Sequence, residues 1–443
     1  MQVSKKTFIY GSWILPDPRL DPMLNKTIIA IRSLIIAVGA TAASSFVGVY
    51  GVYLGASAVD MGWLQSTANS LGNGGQLLWG RLSDRRGSRK PFLLLGSAIL
   101  TCLWFSMGIV RTPLELIAVY AGISLFSAMI TVNWFSLIAD ETLSTTRGKF
   151  LAVINNLSSV GTIISLVVMT LFFRGEVTED VALPFFAASA SYLISGVMIS
   201  RLKETNHATK VVGSIRKTLG SLKSHPAFYN YFVAMNVQGF FWSMAWPMFP
   251  ITMVLIMHFS LASVAILTVA SLIPTIGLQY LLGKITDRIY RPPLIFLNRI
   301  MLSAIPLLYA FSTTFPEFMF MEVYSGVVGA IQNVVMNSYI LDAAPEKQRA
   351  EYLSIINGFN GIVYLVGALA GGYLLEALMS SLPVYQALLY AYLIVFAGRF
   401  ASSFLFLRLK EPENKGRAPL QLYSLLFRLK PPGSPSGGTI RIR

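Results

Sequence analysis

The sequence predicts an all-α integral membrane protein with twelve transmembrane helices in two pseudo-symmetric six-helix bundles. Three observations predict it: too little charge to clothe a water-soluble globule, apolar runs of membrane-crossing length, and a repeat between the two halves. Only 12% of the 443 residues are charged, and mean hydropathy is +0.61. A soluble domain carries roughly a quarter charged residues. A helix needs about 20 apolar residues to cross about 30 Å of hydrocarbon.

Apolar runs between charged or Pro/Gly-rich breaks give twelve spans. The first six are Thr27–Leu54, Met61–Trp79, Pro91–Val110, Leu116–Ile138, Phe150–Phe173 and Ala182–Leu202. The second six are Ala227–Met257, Leu261–Leu282, Pro292–Phe311, Phe318–Leu341, Tyr352–Met379 and Val384–Leu407. The first run exceeds a signal-peptide core and has no clear cleavage site, so it reads as a retained span. The chain divides into an N-terminal segment (1–26), a first bundle (27–202), a basic linker (203–226), a second bundle (227–409) and a basic tail (410–443). The tail is rich in Pro, Gly and Ser and reads as disordered, with Leu420 to Leu429 suited to an anionic lipid surface.

The net charge of +15 does not indicate nucleic acid, because Lys and Arg sit in alternate loops. They crowd the N-terminus, the 2–3 loop, the 6–7 linker and the tail, and recur at Lys284, Arg288, Arg291, Lys347 and Arg349; the opposite loops hold Arg111 and Arg174. This positive-inside pattern predicts a multi-pass protein of the cell membrane with both termini cytoplasmic. Cys102 is the one cysteine, so an internal disulfide is impossible. The three histidines are scattered and no phosphate-binding glycine loop precedes a lysine. The expectation is a non-enzyme with no cofactor and no metal site.

The repeat is visible in two places. Gly80-Arg-Leu-Ser-Asp84-Arg85 follows span 2, and Gly283-Lys-Ile-Thr-Asp287-Arg288 follows span 8, about 203 residues later. Arg147-Gly-Lys-Phe-Leu-Ala-Val-Ile-Asn155 opens span 5, and Arg349-Ala-Glu-Tyr-Leu-Ser-Ile-Ile-Asn357 opens span 11 at nearly the same offset. Halves of six spans enter from the same side, so the repeat is parallel, with a pseudo-twofold axis along the membrane normal.

The run Gly80-Arg-Leu-Ser-Asp84-Arg85-Arg86-Gly87-Ser88-Arg89-Lys90 resembles the 2–3 loop signature of the major facilitator superfamily, with Ser88 in place of the first basic residue of the closing pair. The resemblance implies a secondary transporter, monomeric, working by alternating access on a small-molecule substrate. It also implies that Asp84 meets the N-terminus of span 11, where the helix dipole favours an anion. Gly80 and Gly87 belong to the same element, and Arg85 or Arg89 would pair with Asp140 or Glu141. A second copy would comprise Gly283, Asp287, Arg288, Asp342 and Arg349, set against span 5 and Arg147. Such links would latch the cytoplasmic side shut; the plainer alternative is that these are solvated loop charges that only set topology. Span 4 lacks the embedded Arg of many proton-coupled members, and span 5 lacks the Gly-Pro-rich stretch of many drug antiporters, so the energy source stays open between protons, another coupling ion and none.

Candidate substrate and proton residues follow from polar positions within spans. In the family, spans 1, 4, 7 and 10 line the cavity. Span 10 carries Glu322, Gly326, Gly329, Asn333 and Asn337 on one helical face. An ionisable residue at depth is costly and by default functional. Glu322 is therefore the acidic candidate; the competing reading of the glycines is close helix packing. Span 7 carries Gln238 and Trp242, suited to an apolar or cationic ligand or to an interfacial aromatic belt. Span 2 carries Gln65, Asn69, Asn73 and Gln76, read as gate contacts as readily as a binding surface. Asn155 and Asn357, at matching repeat positions, read as helix–helix hydrogen bonding. Arg32 and Arg399 lie near the cytoplasmic ends of spans 1 and 12, with snorkelling to the interface as the plainer reading of both, and Arg32 is the cationic candidate. With Arg32 the lone deep cation in this reading, strongly anionic substrates are disfavoured. The leading expectation is export of amphipathic compounds. The alternatives are uptake of a small neutral or zwitterionic metabolite, and a transporter-like receptor or scaffold that moves nothing.

Overall fold

A computed structural model describes residues 22–141, 144–173, 182–202, 219–286, 289–345 and 349–412. The N-terminal segment to 21, linker residues 203–218, Asp287, Arg288 and the tail from 413 lie outside the described residues, as do the side chains of Asp140, Glu141 and Arg147.

Among the described residues, eleven helices are long and apolar enough to cross a membrane. We label them in chain order together with one more: α1 (Asn25–Tyr53), α2 (Ala58–Arg86), α3 (Lys90–Met107), α4 (Pro113–Glu141), α5 (Ser144–Phe172), α6 (Ala182–Ser200), α7 (Pro226–Ile256), α8 (Leu261–Ile285), α9 (Pro292–Phe311), α10 (Phe315–Ala343), α11 (Arg349–Met379) and α12 (Val384–Arg408). The helix that fails the apolar test is α2. It is 29 residues long, yet Gln65, Asn69, Asn73 and Gln76 interrupt it. It packs on α4 of its own half and α11 of the other, so its polar face lies within protein and needs no lipid-compatible side chains.

The loops close on local chemistry. Ser57 Oγ accepts from the Asp60 N–H (3.1 Å), while Asp60 accepts from the Ser57 N–H (3.0 Å), a reciprocal cap that starts α2. Gly87 ends it at φ 68°, a left-handed position suited to glycine, with its N–H donating to the Ser83 carbonyl. This is the structural reason for the second glycine of the 2–3 loop signature.

The two bundles meet along α2 with α11 and α5 with α8. The end of the molecule that carries the 2–3 loop is the basic end; the other is the far end. At the far end the halves touch directly. Tyr53 Oη donates to the Phe259 carbonyl (2.8 Å), and the Ala58 N–H donates to Glu376 Oε2 (3.1 Å). A Cβ added to Gly372 would stand 2.6 Å from the Ala58 carbonyl, and one added to Gly48 would stand 2.9 Å from Pro250. Toward the basic end α2 and α11 stay close as far as Gly361 and Gly358, where a Cβ would stand 3.2 Å from Asn73 and 3.1 Å from Leu77, and beyond them the glycines are open. A Cβ on Gly80 would meet only Val132 of its own half, at 3.4 Å, and one on Gly283 would meet nothing within 4 Å. Gly80 thus makes no close approach to the other half in this conformation.

Candidate functional site

The first bundle lines an open cavity of about 420 Å³. Aromatic rings of Trp104, Tyr120 and Tyr192 share its wall with Asn69, Asn73 and Gln76 of α2. A second cavity of about 210 Å³ continues toward the basic end and shares Thr41, Ser127, Thr131 and Tyr192 with the first. The shared wall includes a π-helical turn, Ala37–Thr41, inside α1. Such turns favour functional sites because they re-aim side chains within a helix. The α1 backbone is pinned against α6, since a Cβ on Gly39 would overlap Ser191 Oγ at 1.8 Å.

Two turns toward the basic end, Arg32 lines the second cavity. It is 3% exposed, so it does not snorkel. Its Nε donates to Ser195 Oγ of α6 (2.7 Å), and its guanidinium carbon lies 3.8 Å from the centre of the Trp134 ring. Asn155 of α5 lines the same cavity and is exposed to it, which corrects the helix–helix hydrogen-bonding expectation for that residue.

Other candidates fall elsewhere. Gln238 is buried inside the second bundle, where Nε2 donates to Ser403 Oγ (2.9 Å) and Oε1 accepts from Arg299 (3.5 Å). Trp242 stacks edgewise on Trp246 and Tyr364, and its carbonyl accepts from Arg399 (2.6 Å). Glu322 is half-buried and accepts from Tyr309 Oη (3.3 Å), whose ring packs on Phe249 and Phe318. Asn333 and Asn337 are exposed on α10, with Asn337 donating to the Asn333 carbonyl (2.9 Å). Of the two stripe glycines, Gly329 is loosely surrounded, a Cβ there meeting only Thr275 Oγ1 at 3.9 Å, whereas Gly326 is tightly packed. A Cβ on Gly326 would lie 2.2 Å from the Ser271 carbonyl, so that part of the stripe is α8–α10 packing.

Sequence reasoning missed Asn298 and Arg299, both buried in α9. Arg299 donates to Asn298 and to Gln332 (2.7 Å). Arg399, also fully buried, donates to the carbonyls of Phe241 (3.2 Å), Leu302 (3.2 Å) and Trp242 (2.6 Å). Arg32 is therefore not the lone deep cation, which corrects the premise used against anionic substrates. The signal was present as an Arg inside an apolar span, which by itself marks a site worth testing.

At the basic end Asp84 pairs with Arg89 of its own loop (2.6 Å), and Arg89 also donates to Ser83 Oγ (2.8 Å). In the second half, Arg291 is fully buried between Asp342 (2.9 Å) and Glu411, which follows α12 and also accepts from the Arg291 N–H (2.9 Å). Asp342 was expected to serve the second latch copy, with Arg288 or Arg349. Its carboxylate meets Arg291, Arg288 lies outside the described residues, and Arg349 Nε is buried with no hydrogen-bond partner among the described residues.

A family model for the Major Facilitator Superfamily matches residues 29–242 and 231–434, each covering one bundle. The chain belongs to the Major Facilitator Superfamily. Solved facilitators share the fold at low identity. A nucleoside transporter, NupG, has TM-score 0.70 and 14% identity over 88% of this chain and 99% of that one. A bacterial homologue of the human lysosomal transporter Spinster, in an inward-facing and occupied conformation, has TM-score 0.66 and 12% identity over 91% and 99%. A D-xylose–proton symporter has TM-score 0.65 and 13% identity over 89% and 98%. Among curated proteins, a class H tetracycline resistance protein of Pasteurella multocida is 28% identical over 116 residues, 26% of this chain. That match spans 28% of the relative's length.

In this facilitator the Arg291–Glu411 pair ties the segment after the last helix back to the start of α9. Removing one partner of a buried charge leaves the other under-satisfied at a cost of about 1–3 kcal/mol. Glu411→Gln is expected to lower the melting temperature in detergent, with Asp342 limiting the loss. An unchanged melting temperature would show that this contact does not hold the segment.

Proposed function

We propose that this protein is a secondary transporter that exports amphipathic compounds by alternating access, with both termini cytoplasmic. The observation that carries this reading is the pairing of a far end closed by direct contact between halves with a cavity in the first bundle displaced toward the basic end. With the basic end cytoplasmic, that conformation faces inward. The cavity mixes large aromatic faces with a few amide and hydroxyl groups, the combination that holds a compound with an apolar body and polar edges. The partial similarity to a tetracycline resistance protein favours export over uptake. The latch residues fit the same cycle. Asp84 and Arg89 hold each other while the basic end is apart; on closing, Asp84 would turn to the start of α11, while Arg147, Asp287, Arg288 and Arg349 serve the second copy. Glu322 is the acid we assign to proton coupling, and Asn333 and Asn337 the polar wall of the second bundle. In this reading the protein works as a monomer in the cell membrane.

The test begins with thermal stability in detergent across lipophilic amines, neutral drugs, carboxylates, sugars and amino acids. A ligand at about 100 times its dissociation constant adds about 2.7 kcal/mol to the native state. Stabilising compounds are then followed in oriented proteoliposomes under an imposed pH gradient. Movement from the basic end to the far end supports export. Movement the other way, restricted to one polar metabolite class, establishes an uptake permease. Binding without flux establishes a receptor or scaffold.

A further inference from the structure

The protein holds several buried arginines, and they differ in how their donors are used. Arg291 faces two carboxylates. Arg399 donates to three backbone carbonyls, and Arg299 to amide oxygens on α7, α9 and α10. Arg299 and Arg399 are absorbed by protein, and Arg291, although its Nη1 is buried with no hydrogen-bond partner among the described residues, has its charge met by carboxylates. Arg32 has an open donor and no carboxylate partner among the described residues: Nε is held by Ser195, one face lies on Trp134, and Nη2 is buried with no hydrogen-bond partner among the described residues. A buried guanidinium N–H left unmade is costly, since a charged donor loses its full hydration. Arg32 also lines a cavity, whereas Arg299 and Arg399 line neither of the two described above.

We infer that Arg32 is the docking point for the anionic group of an amphipathic organic anion carrying a single negative charge. This rests on the reading of the cavity as the substrate site and names the substrate class. The geometry supports one charge and one body. Trp134 and Ser195 fix the plane of the guanidinium, and the Arg32 side chain lines the cavity together with Ser127, Asn155 and Ser158. An Arg fork pairs with carboxylate geometry better than an ammonium does. The apolar part then runs through the shared wall at Thr41 and Tyr192 into the larger cavity, against Trp104 and Tyr120. Charge at the basic end and rings at mid-membrane give the ligand a defined orientation.

The same guanidinium chemistry would serve an inorganic anion, so the experiment separates the two sources. Binding to the purified full-length protein is measured by tryptophan fluorescence and thermal shift with 2-naphthoate, its neutral isostere 2-naphthamide, 2-naphthylmethylamine, and chloride or sulfate alone. Naphthoate is expected to bind at least about tenfold more tightly than the amide, the size of one charge-assisted hydrogen bond. Arg32→Gln is expected to weaken naphthoate by about 10- to 100-fold and leave the amide unchanged. Arg32→Lys retains the charge, loses the fork and falls between them. If Arg32→Gln unfolds, Asn155→Asp, which places a carboxylate on the same cavity, is expected to weaken naphthoate alone. Equal binding of naphthoate and naphthamide overturns the assignment, as does tighter binding of the amine. Stabilisation by chloride or sulfate that naphthoate does not compete away overturns it in favour of an inorganic ion. Because binding is read in detergent, naphthoate bound through Arg32 but never moved in proteoliposomes would sink the transport reading and leave this site standing.

Discussion

Gly372→Val is expected to hold the far end open and abolish transport while the protein stays folded. The closed far end depends on α2 and α11 approaching backbone to backbone: Gly372 lies against the Ala58 carbonyl and Gly62, and a Cβ on Gly62 would stand 3.1 Å from the Ala368 carbonyl. A branched side chain has no room there. Overpacking costs about 1–3 kcal/mol. The cost falls only on the state in which the two helices touch, so the equilibrium shifts roughly 5- to 150-fold toward the open far end. The Glu376 contact to the Ala58 N–H is lost in the same step. The measurement is labelling of Gln65→Cys with a membrane-impermeant maleimide, in a Cys102→Ser background that removes the one natural thiol. Gln65 sits beside Gly48 at the α1–α7 seal. Faster labelling from the far side with little flux is the expected outcome; unchanged labelling would mean that the glycine contact does not set the closed state. Gly371→Val is the control. Its Cβ would stand 2.0 Å from the Met244 carbonyl within the second bundle, so it should lower stability without opening the far end.

That contact could not be read from the chain, although much of the fold could. Apolar run length, alternate basic loops and the repeated Gly-x-x-x-Asp-Arg segments depend on sequence-local facts, and they gave twelve helices in two bundles and the family. The span 2 stripe was legible as polar, but whether Asn69, Asn73 and Gln76 met a gate or a cavity depended on which neighbours surround α2. Arg32 was legible as a candidate and misplaced in depth, because one helical turn moves a residue 5.4 Å, enough to separate an interface from a buried cavity. Arg299 was missed for a different reason. Its neighbour Asn298 accepts from it, but the partners Gln238 and Gln332 come from α7 and α10, so most of what accommodates its charge is distant in sequence. The span 10 stripe divided: its polar ends are exposed or half-buried, while Gly326 packs on α8. A shared helical face says which residues turn the same way, not what they turn toward.

Glu322→Gln is the second large effect: transport is expected to continue down a substrate gradient and to stop responding to a pH gradient. Glu322 is half-buried in a spanning helix, and the described partner of its carboxyl is a phenol, Tyr309 Oη at 3.3 Å, with aromatic rings behind it. A carboxylate left in such surroundings is expensive unless a proton or a cation accompanies it. Tyr309 also packs against Tyr392 of α12 and Phe249 of α7, the helix that meets α1 at the far-end seal. A change of charge at Glu322 would therefore be felt by the element that closes the far end, and this is the physical form that coupling would take here. The amide keeps the shape and the acceptor for Tyr309 but does not ionise, so it cannot take up and release a proton. Tyr309→Phe, which removes the hydrogen bond and leaves the carboxyl, should weaken coupling without abolishing it. The comparison is made in proteoliposomes, with flux measured under a pH gradient and under a substrate gradient alone. If both variants accumulate substrate against its gradient as the unaltered protein does, the coupling proton is carried elsewhere or not at all. If Glu322→Gln loses flux under both conditions, the carboxyl serves the conformational change or the substrate itself, and the proton assignment fails on that result too.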